Sequence, residues 1–180
     1  MGQSWVNAER VMPRPEEVVF RLTWDGLAAL CRQLAAQVAA DYSPDVVVGV
    51  LRGGTLPGAL IALLLRRDFH SLRVPVASSP AAHVPPRSAV EGRRVLLVDE
   101  RTVDGAVLAW GAEALRQLGA REVRTLVLFG GEEGQADYAG LQIAVPVVHP
   151  WFRDVVGSEG LPPAPQEVAW LLSGARCEPE

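Results

Sequence analysis

Residues 93–119 constrain the fold more than any other stretch of this sequence, because they contain a complete strand–loop–helix pattern. Residues 95–98 form a short apolar run, which is typical of a strand covered on both faces. The run ends on two adjacent carboxylates, Asp99 and Glu100. A tight loop that closes on Gly105 follows, and an amphipathic helix begins directly after it. This unit predicts a strand inside a parallel sheet, with the two acids at its carboxyl end.

The remainder of the chain continues the alternation of helices and apolar strands. A second apolar run, residues 45–51, is followed by the sharp turn Arg52-Gly53-Gly54 and by another helix. Thr23 is a suitable N-cap for a helix that precedes this run. The other predicted elements are an edge strand at 18–22, helices at 23–41, 56–67, 106–118 and 166–172, and strands at 73–77, 122–129 and 143–148. This order predicts an α/β fold with a mainly parallel central sheet, helices on both faces and right-handed crossovers.

The length of 180 residues predicts a single domain. Residues 78–92 differ from the rest, since they are rich in Pro, Ser and Ala and lack periodicity. We predict a flexible loop there, either a functional lid or a connection that is simply mobile.

Composition excludes several classes of function. The net charge of −4 gives no general attraction for nucleic acid or for an anionic membrane. No apolar run is long enough to span a bilayer, and the N-terminal residues lack the apolar region of a signal peptide, so we expect a cytoplasmic protein. Cys31 and Cys177 predict neither a disulfide framework nor a metal site. All 17 basic residues are arginines, which excludes Schiff-base chemistry and a phosphate-binding lysine.

Asp99 and Glu100 are the first candidate functional residues. Ligands of open parallel sheets bind outside the carboxyl ends of the strands, where these acids are predicted to lie. Neighbouring carboxylates there can bind both hydroxyls of a ribose, or hold Mg²⁺ directly or through water. The alternative is that they only stabilise the N-terminus of the following helix. Both interpretations stay open on the sequence alone.

The turn Arg52-Gly53-Gly54 is the second candidate. Its glycines permit a close approach of the backbone, and the arginine provides a donor fork that matches phosphate oxygens. The alternative is a tight strand-to-helix turn with a solvated arginine. Because this turn and the acid turn follow strands of one parallel sheet, we expect them to converge at one edge, which favours a binding site.

Together these segments resemble the type I phosphoribosyltransferase family. The resemblance rests on VVVGVLRGGTLPGALIALLL (residues 46–65), VLLVDERTVDGAVL (residues 95–108) and VVHPW (residues 147–151). It is closest to the purine-salvage members, particularly the short bacterial xanthine-guanine and archaeal enzymes. It implies Mg²⁺-dependent transfer of a phosphoribosyl group from phosphoribosyl pyrophosphate (PRPP) to a purine-type base, with release of pyrophosphate. It also implies a homodimer, a core at about 23–148, and a hood at about 1–22 and 149–180.

The resemblance assigns roles residue by residue. The turn Arg52-Gly53-Gly54 would bind the pyrophosphate, Asp99 and Glu100 would hold the ribose hydroxyls and Mg²⁺, and the loop at 78–92 would close over the site. The loop after the acids would surround the 5′-phosphate; the residues assigned to it besides the two acids are Arg101, Thr102, Val103, Asp104, Gly105, Ala106 and Val107. Residues near the base would be Pro146, Val147 and Trp151.

Several of these positions depart from the family pattern. Asp104 and Val107 stand where the family has hydroxyl side chains for the 5′-phosphate, and Val103 stands where purine members have an aspartate. A shift of the loop would let Asp104 supply that catalytic carboxylate. Gly130 replaces a lysine that reads the base, and Pro146 replaces the stacking aromatic side chain.

The departures leave three hypotheses open. The first is the enzyme, the second is a non-catalytic paralogue that binds PRPP or a nucleotide and has a regulatory role, and the third is a structural paralogue that acts through a dimer interface. Two further side chains have two interpretations each. Arg101 contacts phosphate or neutralises Asp104, and His83 meets pyrophosphate or is a solvated loop residue.

Overall fold

The computed structural model describes residues 19–75, 82–102, 104–130 and 136–153 of the chain. Its elements in chain order are β1 (Phe20–Arg21), α1 (Trp24–Asp41), β2 (Val46–Val50), α2 (Thr55–Leu65), β3 (Asp68–Leu72), β4 (Arg94–Arg101), α3 (Ala106–Gln117), β5 (Glu122–Gly130), β6 (Tyr138–Gln142), β7 (Val147–Val148) and α4 (Pro150–Arg153), with a short 3₁₀ turn at Arg87–Ala89. The terminal helix predicted at 166–172 lies outside the described residues.

A five-stranded parallel sheet forms the centre, with the strand order β3-β2-β4-β5-β6. Strands β1 and β7 pair in parallel as a separate two-stranded sheet. The α/β prediction with a mainly parallel sheet is therefore confirmed. The border between core and hood, at about residues 22 and 148, stays a prediction.

Two apolar clusters cover the two faces of the large sheet. Alternate residues of β4 face opposite sides: Leu96 packs into the cluster that contains the buried face of α1, and Leu97 packs into the cluster that contains Leu108 and Leu115 of α3. All four of these leucines are at most 3 % exposed. Helices α1 and α3 therefore lie on opposite faces, as the doubly covered apolar strands predict.

Local capping signals place α1 correctly. The N–H of Gly26 donates to Oγ1 of Thr23 at 3.0 Å, which satisfies one of the free amides of the first turn. Helix α2 ends at Leu65, earlier than predicted, because Arg66 adopts the left-handed conformation with φ of 55°. The chain then enters β3 at Asp68, so the strand predicted at 73–77 was wrong by about one strand length.

The strand predicted at 143–148 was also wrong. The structure has β6 at Tyr138–Gln142, in a stretch whose glycines favoured turns, and only the short β7 beyond it. Gly140 allows this placement, since a Cβ atom there would lie 2.9 Å from Cδ1 of Leu30 and against the carbonyl oxygen of Leu128. The glycine thus serves close packing of β6 rather than a turn.

The second half of the loop predicted at 78–92 is attached to the core. His83 forms an antiparallel bridge with Arg73, and Ala89 and Val90 are buried against the α3 side of the sheet. The N–H of Gly92 donates to the carbonyl of Gly119 at 2.8 Å, at the amino-terminal edge. Residues 76–81 lie outside the described part. Within the described ranges, no helix is long and apolar enough to cross a membrane.

Candidate functional site

The carboxyl ends of β2 and β4 bring the two predicted turns together. The strands are neighbours, with Gly49 opposite Val98, so the turn at 51–54 lies beside the acid turn. Gly54 shows how close they are: a Cβ atom on it would lie 2.8 Å from Cα of Asp99 and would press on the carbonyl oxygen of Val98. Only a glycine permits this approach. The convergence that the sequence predicts is therefore present.

Glu100 lies at the junction of the two turns. A Cβ atom on Gly53 would overlap the carboxylate of Glu100, so this carboxylate rests directly against the backbone of the first turn. Gly53 is buried and Glu100 is half-buried. One anionic group is thus held where the Arg52 turn and the acid turn meet.

Asp99 differs from Glu100 in its burial, although the two side chains contact each other. Strand β4 continues to Arg101, so both acids lie inside the strand and not beyond its end. Asp99 is 7 % exposed, and its Oδ1 accepts a hydrogen bond from the N–H of Glu100 at 2.8 Å. Burial, followed by the neighbouring carboxylate of Glu100, raises the pKa of Asp99 well above its usual value. Of the pair, Glu100 is the carboxylate that faces the junction.

The loop after the acids is closed by its own side chains. Thr102 is buried, and its Oγ1 accepts from the N–H of Gly105 at 3.0 Å. Oδ1 of Asp104 accepts from the N–H of Ala106, the first residue of α3, also at 3.0 Å. Gly105 has φ of 76°, a conformation that favours glycine. Among the described residues, the carboxylate that binds a free amide at the start of α3 is therefore Asp104, and not Asp99 or Glu100.

The remaining positions assigned to this loop are not buried in it. Asp104 is exposed, and Val107 is 36 % exposed on the first turn of α3. Val103 lies outside the described residues. No ion pair joins Arg101 to Asp104 within the described part of the chain, so the interpretation that Arg101 neutralises Asp104 finds no contact.

The Arg52 turn is followed by Thr55, a residue that the sequence analysis did not single out. The N–H of Gly54 donates to the carbonyl of Val50 at 2.9 Å, and the peptide between Leu51 and Arg52 is cis. Arg52 itself is exposed. The hydroxyl of Thr55, the next residue along, is buried and has no hydrogen-bond partner among the described residues. Thr55 lies directly after a Gly-Gly turn and at the start of a helix, and this position is the sequence signal that could have identified it as a candidate site residue.

Arg101 carries a second unpartnered atom at the same edge. Its Nε is buried and has no partner among the described residues. Arg101 lies opposite Phe129 in the register of β4 and β5. Buried polar atoms are nearly always hydrogen-bonded in folded proteins, so these two atoms, one at the start of α2 and one at the end of β4, point to a ligand at this edge.

A cluster of aromatic side chains lies beside Arg101, and it is called the cap below. The ring of Phe129 lies 5.9 Å from that of Phe20 and 5.8 Å from that of His149. The ring of His149 stacks on Trp151 at 4.5 Å, and Trp151 also lies 6.3 Å from Trp24. The N–H of Thr102 donates to the carbonyl of Phe129 at 3.2 Å, which joins the cap to the acid loop.

The three residues assigned to base binding lie in this cap. Pro146 is exposed, and its carbonyl accepts from the N–H of Phe20 at 2.9 Å. Val147 pairs with Phe20 across the small sheet. One face of the Trp151 ring is covered by His149.

The donor set at the junction suits a hard cation. Carboxylate oxygens are the protein ligands that Mg²⁺ prefers, and it often uses one or two of them together with substrate phosphates and water. Glu100, and behind it Asp99, fit that use. Within the described ranges no group of three or more His, Cys, Asp or Glu side chains forms a metal cluster.

Comparison with known proteins gives consistent matches. Residues 22–157 match the family model of the phosphoribosyl transferase domain. The fold is similar to a purine phosphoribosyltransferase of Pyrococcus horikoshii, with a TM-score of 0.67, 25 % identity, and coverage of 74 % of this chain and 93 % of that one.

Two sequence relatives differ in their bases. The chain is 28 % identical to an orotate phosphoribosyltransferase of Methanocorpusculum labreanum, over 60 % of this chain and 63 % of that protein. It is 29 % identical to an adenine phosphoribosyltransferase of Gluconobacter oxydans, over 52 % of this chain and 60 % of that protein. The chain thus spans less than two thirds of the length of either relative.

Proposed function

Because this chain belongs to the phosphoribosyl transferase domain family, we propose that it transfers a phosphoribosyl group from PRPP to a purine-type base and releases pyrophosphate. The observation that carries the proposal is the contact between the two turns. A Cβ atom on Gly54 would lie 2.8 Å from Cα of Asp99, and Gly53 lies against the carboxylate of Glu100. A sugar diphosphate that spans both turns would place its ribose at the acids and its pyrophosphate at Arg52.

Each residue of the junction has a distinct role in this proposal. The transition state of such transfers resembles an oxocarbenium ion, with negative charge growing on the departing pyrophosphate. Arg52 and the amides of its turn stabilise that charge. Glu100 accepts hydrogen bonds from the ribose hydroxyls, and Asp99 fixes the backbone of Glu100 through its bond to the Glu100 N–H. Mg²⁺ held by Glu100 and Asp99 would supply further positive charge to the pyrophosphate.

Asp104 is the proposed catalytic carboxylate for the incoming base. Its Oδ1 is bound to the N–H of Ala106, and Asp104 is exposed at the mouth of the loop. A carboxylate in that position can accept the proton that the base loses when its nitrogen attacks the sugar.

Release of pyrophosphate from PRPP and Mg²⁺ tests the proposal, with hypoxanthine, guanine, xanthine, adenine and orotate supplied in turn. We expect turnover with at least one base and a loss of about 100-fold or more in Glu100→Gln, since that variant removes the charge at the junction. Glu113→Gln on the exposed side of α3 is the matched control and keeps wild-type activity. Folded protein that releases no pyrophosphate with any base contradicts the enzyme.

A regulatory module that binds PRPP or a nucleotide without turnover is the second candidate. The bond from Asp104 to Ala106 favours it, because a carboxylate already occupies the N-terminus of α3, where a 5′-phosphate would have to approach. Calorimetry separates the two candidates. The module binds PRPP or a nucleoside monophosphate and releases no pyrophosphate.

A homodimer is a further proposal. It is supported by apolar side chains exposed on α2, where Leu56 is 39 %, Leu63 is 76 % and Leu64 is 42 % exposed. Light scattering is expected to give twice the monomer mass of 19.3 kDa. The monomer mass at micromolar concentration would contradict it.

A further inference from the structure

We propose that Arg101 selects the base, by donating hydrogen bonds to an oxygen on it, either a ring carbonyl or a carboxylate. This inference rests on the proposed function and names the chemical class of its acceptor substrate.

The first step is the state of the Arg101 side chain. Its Nε is buried and lacks a hydrogen-bond partner among the described residues. Among the described residues Arg101 forms no side-chain hydrogen bond or ion pair with Asp99, Glu100 or Asp104. A buried Nε without a partner loses its hydration and gains no hydrogen bond from the described residues, so an acceptor from outside would satisfy it.

The second step is the position of Arg101 between sugar and base. It follows Glu100 directly, and it lies opposite Phe129, whose ring contacts Phe20 and His149 of the cap. A ligand with its ribose at Glu100 and its ring directed to the cap passes Arg101. Gly130, the neighbour of Phe129, contributes no side chain there, and the nearest atom to a Cβ built on it is 3.8 Å away.

The third step is the chemistry of the guanidinium. It has five N–H donors and no acceptor. An exocyclic carbonyl or carboxylate satisfies it, whereas an exocyclic amino group opposes donor to donor. The site therefore favours bases such as hypoxanthine, xanthine or orotate over adenine. Among the relatives named above, this separates the adenine enzyme from the orotate enzyme.

The experiment measures kcat/KM for hypoxanthine, orotate and adenine at saturating PRPP and Mg²⁺, in wild type, Arg101→Gln, Arg101→Lys and the control Arg121→Gln. Arg121 is exposed at the opposite edge of the sheet. We expect wild type to prefer an oxygen-bearing base over adenine by about tenfold or more, and Arg101→Gln to lose about 100-fold on that base but little on adenine. The KM for PRPP stays within about twofold, and Arg101→Lys recovers part of the loss.

The two oxygen sources give different outcomes. Preference for hypoxanthine assigns a ring carbonyl and agrees with a purine-type base. Preference for orotate assigns a carboxylate and replaces the purine-type base of the proposed function with a pyrimidine. If no base is turned over, the same comparison is made by calorimetry with IMP, OMP and AMP, and AMP must bind most weakly.

Preference for adenine or AMP, or a base selectivity that Arg101→Gln leaves unchanged, overturns this inference while the proposed function stands. Wild-type protein that binds neither PRPP nor any of the three nucleotides overturns the proposed function, and the inference with it.

Discussion

Substitution of Gly54 by alanine tests the close approach on which the site depends. Three backbone atoms surround the position of the added methyl group: the carbonyl oxygen of Val98, Cα of Asp99 at 2.8 Å and the amide nitrogen of Val50 at 2.9 Å. None of them can rotate away, as the end of a side chain could. The backbone of Gly54 is in the right-handed region, with φ of −72°, so alanine adds steric conflict and no conformational strain.

The expected change in the free energy of unfolding is the sum of two opposing effects. Overpacking costs about 1–3 kcal/mol, and contacts with fixed backbone place this site near the upper end. Alanine also lowers the conformational entropy of the unfolded chain, which stabilises the folded state by up to about 1 kcal/mol. The net loss is about 2 kcal/mol, which lowers the Tm by about 4–8 °C in a domain of this size. Movement of the two turns apart also weakens Mg²⁺-dependent binding of PRPP.

Gly130→Ala is the matched control, because it is also a glycine at the end of a strand. Among the described residues, the nearest atom to its added methyl group is Cβ of Ala139 at 3.8 Å, an ordinary contact. We expect its Tm to stay within about 2 °C of wild type. Scanning calorimetry on the three proteins gives the comparison. Equal Tm values for both variants would refute the close contact between the Arg52 turn and the acid turn.

Three further predictions concern single side chains. The raised pKa of Asp99 means that the folded state resists deprotonation of this carboxyl, so the free energy of unfolding falls as pH rises above the pKa of the unfolded state. Asp99→Asn removes this loss, and we expect the variant to be more stable than wild type in urea at pH 8. The same variant is expected to bind PRPP more weakly. Lower stability of that variant at pH 8 would contradict the assignment. Asp104→Asn keeps an oxygen that can accept from the Ala106 N–H, and it removes a negative charge. That charge repels phosphate by about 1 kcal/mol per unit charge at about 5 Å in a water-like dielectric, so calorimetry should show PRPP binding several-fold tighter. Unchanged affinity would place the phosphate elsewhere. Burial raises the pKa of Cys31 to about 11, so its thiol is expected to react slowly at pH 8. Peptide mapping after iodoacetamide treatment at pH 8 should find Cys31 unlabelled until urea unfolds the protein. Fast labelling would contradict its burial.

The parts of the fold that sequence predicts well are those with local signals. Thr23 accepts the bond that caps α1, and Gly119 follows α3 with φ of 91°. The errors arose where the local sequence carries no signal. Arg66 ends α2 in a left-handed conformation that arginine rarely adopts, and Gly140 is placed in β6 by its contact with Leu30 and Leu128 rather than by turn preference. No pattern in the neighbouring residues reports either contact.

The candidate site divides in the same way. The convergence of the two turns followed from the parallel order of β2 and β4, which apolar runs alone indicate. The different burial of Asp99 and Glu100 did not follow, because it depends on the elements that pack around the end of β4. The unpartnered Nε of Arg101 likewise depends on where the side chains of other elements lie.

Isothermal titration of PRPP into the wild-type protein, with and without Mg²⁺, tests the central claim most directly. The claim is that the Arg52 turn and the carboxylate of Glu100 form one site for a sugar diphosphate and its cation. We predict binding of one PRPP per chain with Mg²⁺ and at least tenfold weaker binding without it. Folded protein that gives no heat of binding, or the same affinity without Mg²⁺, would contradict the account.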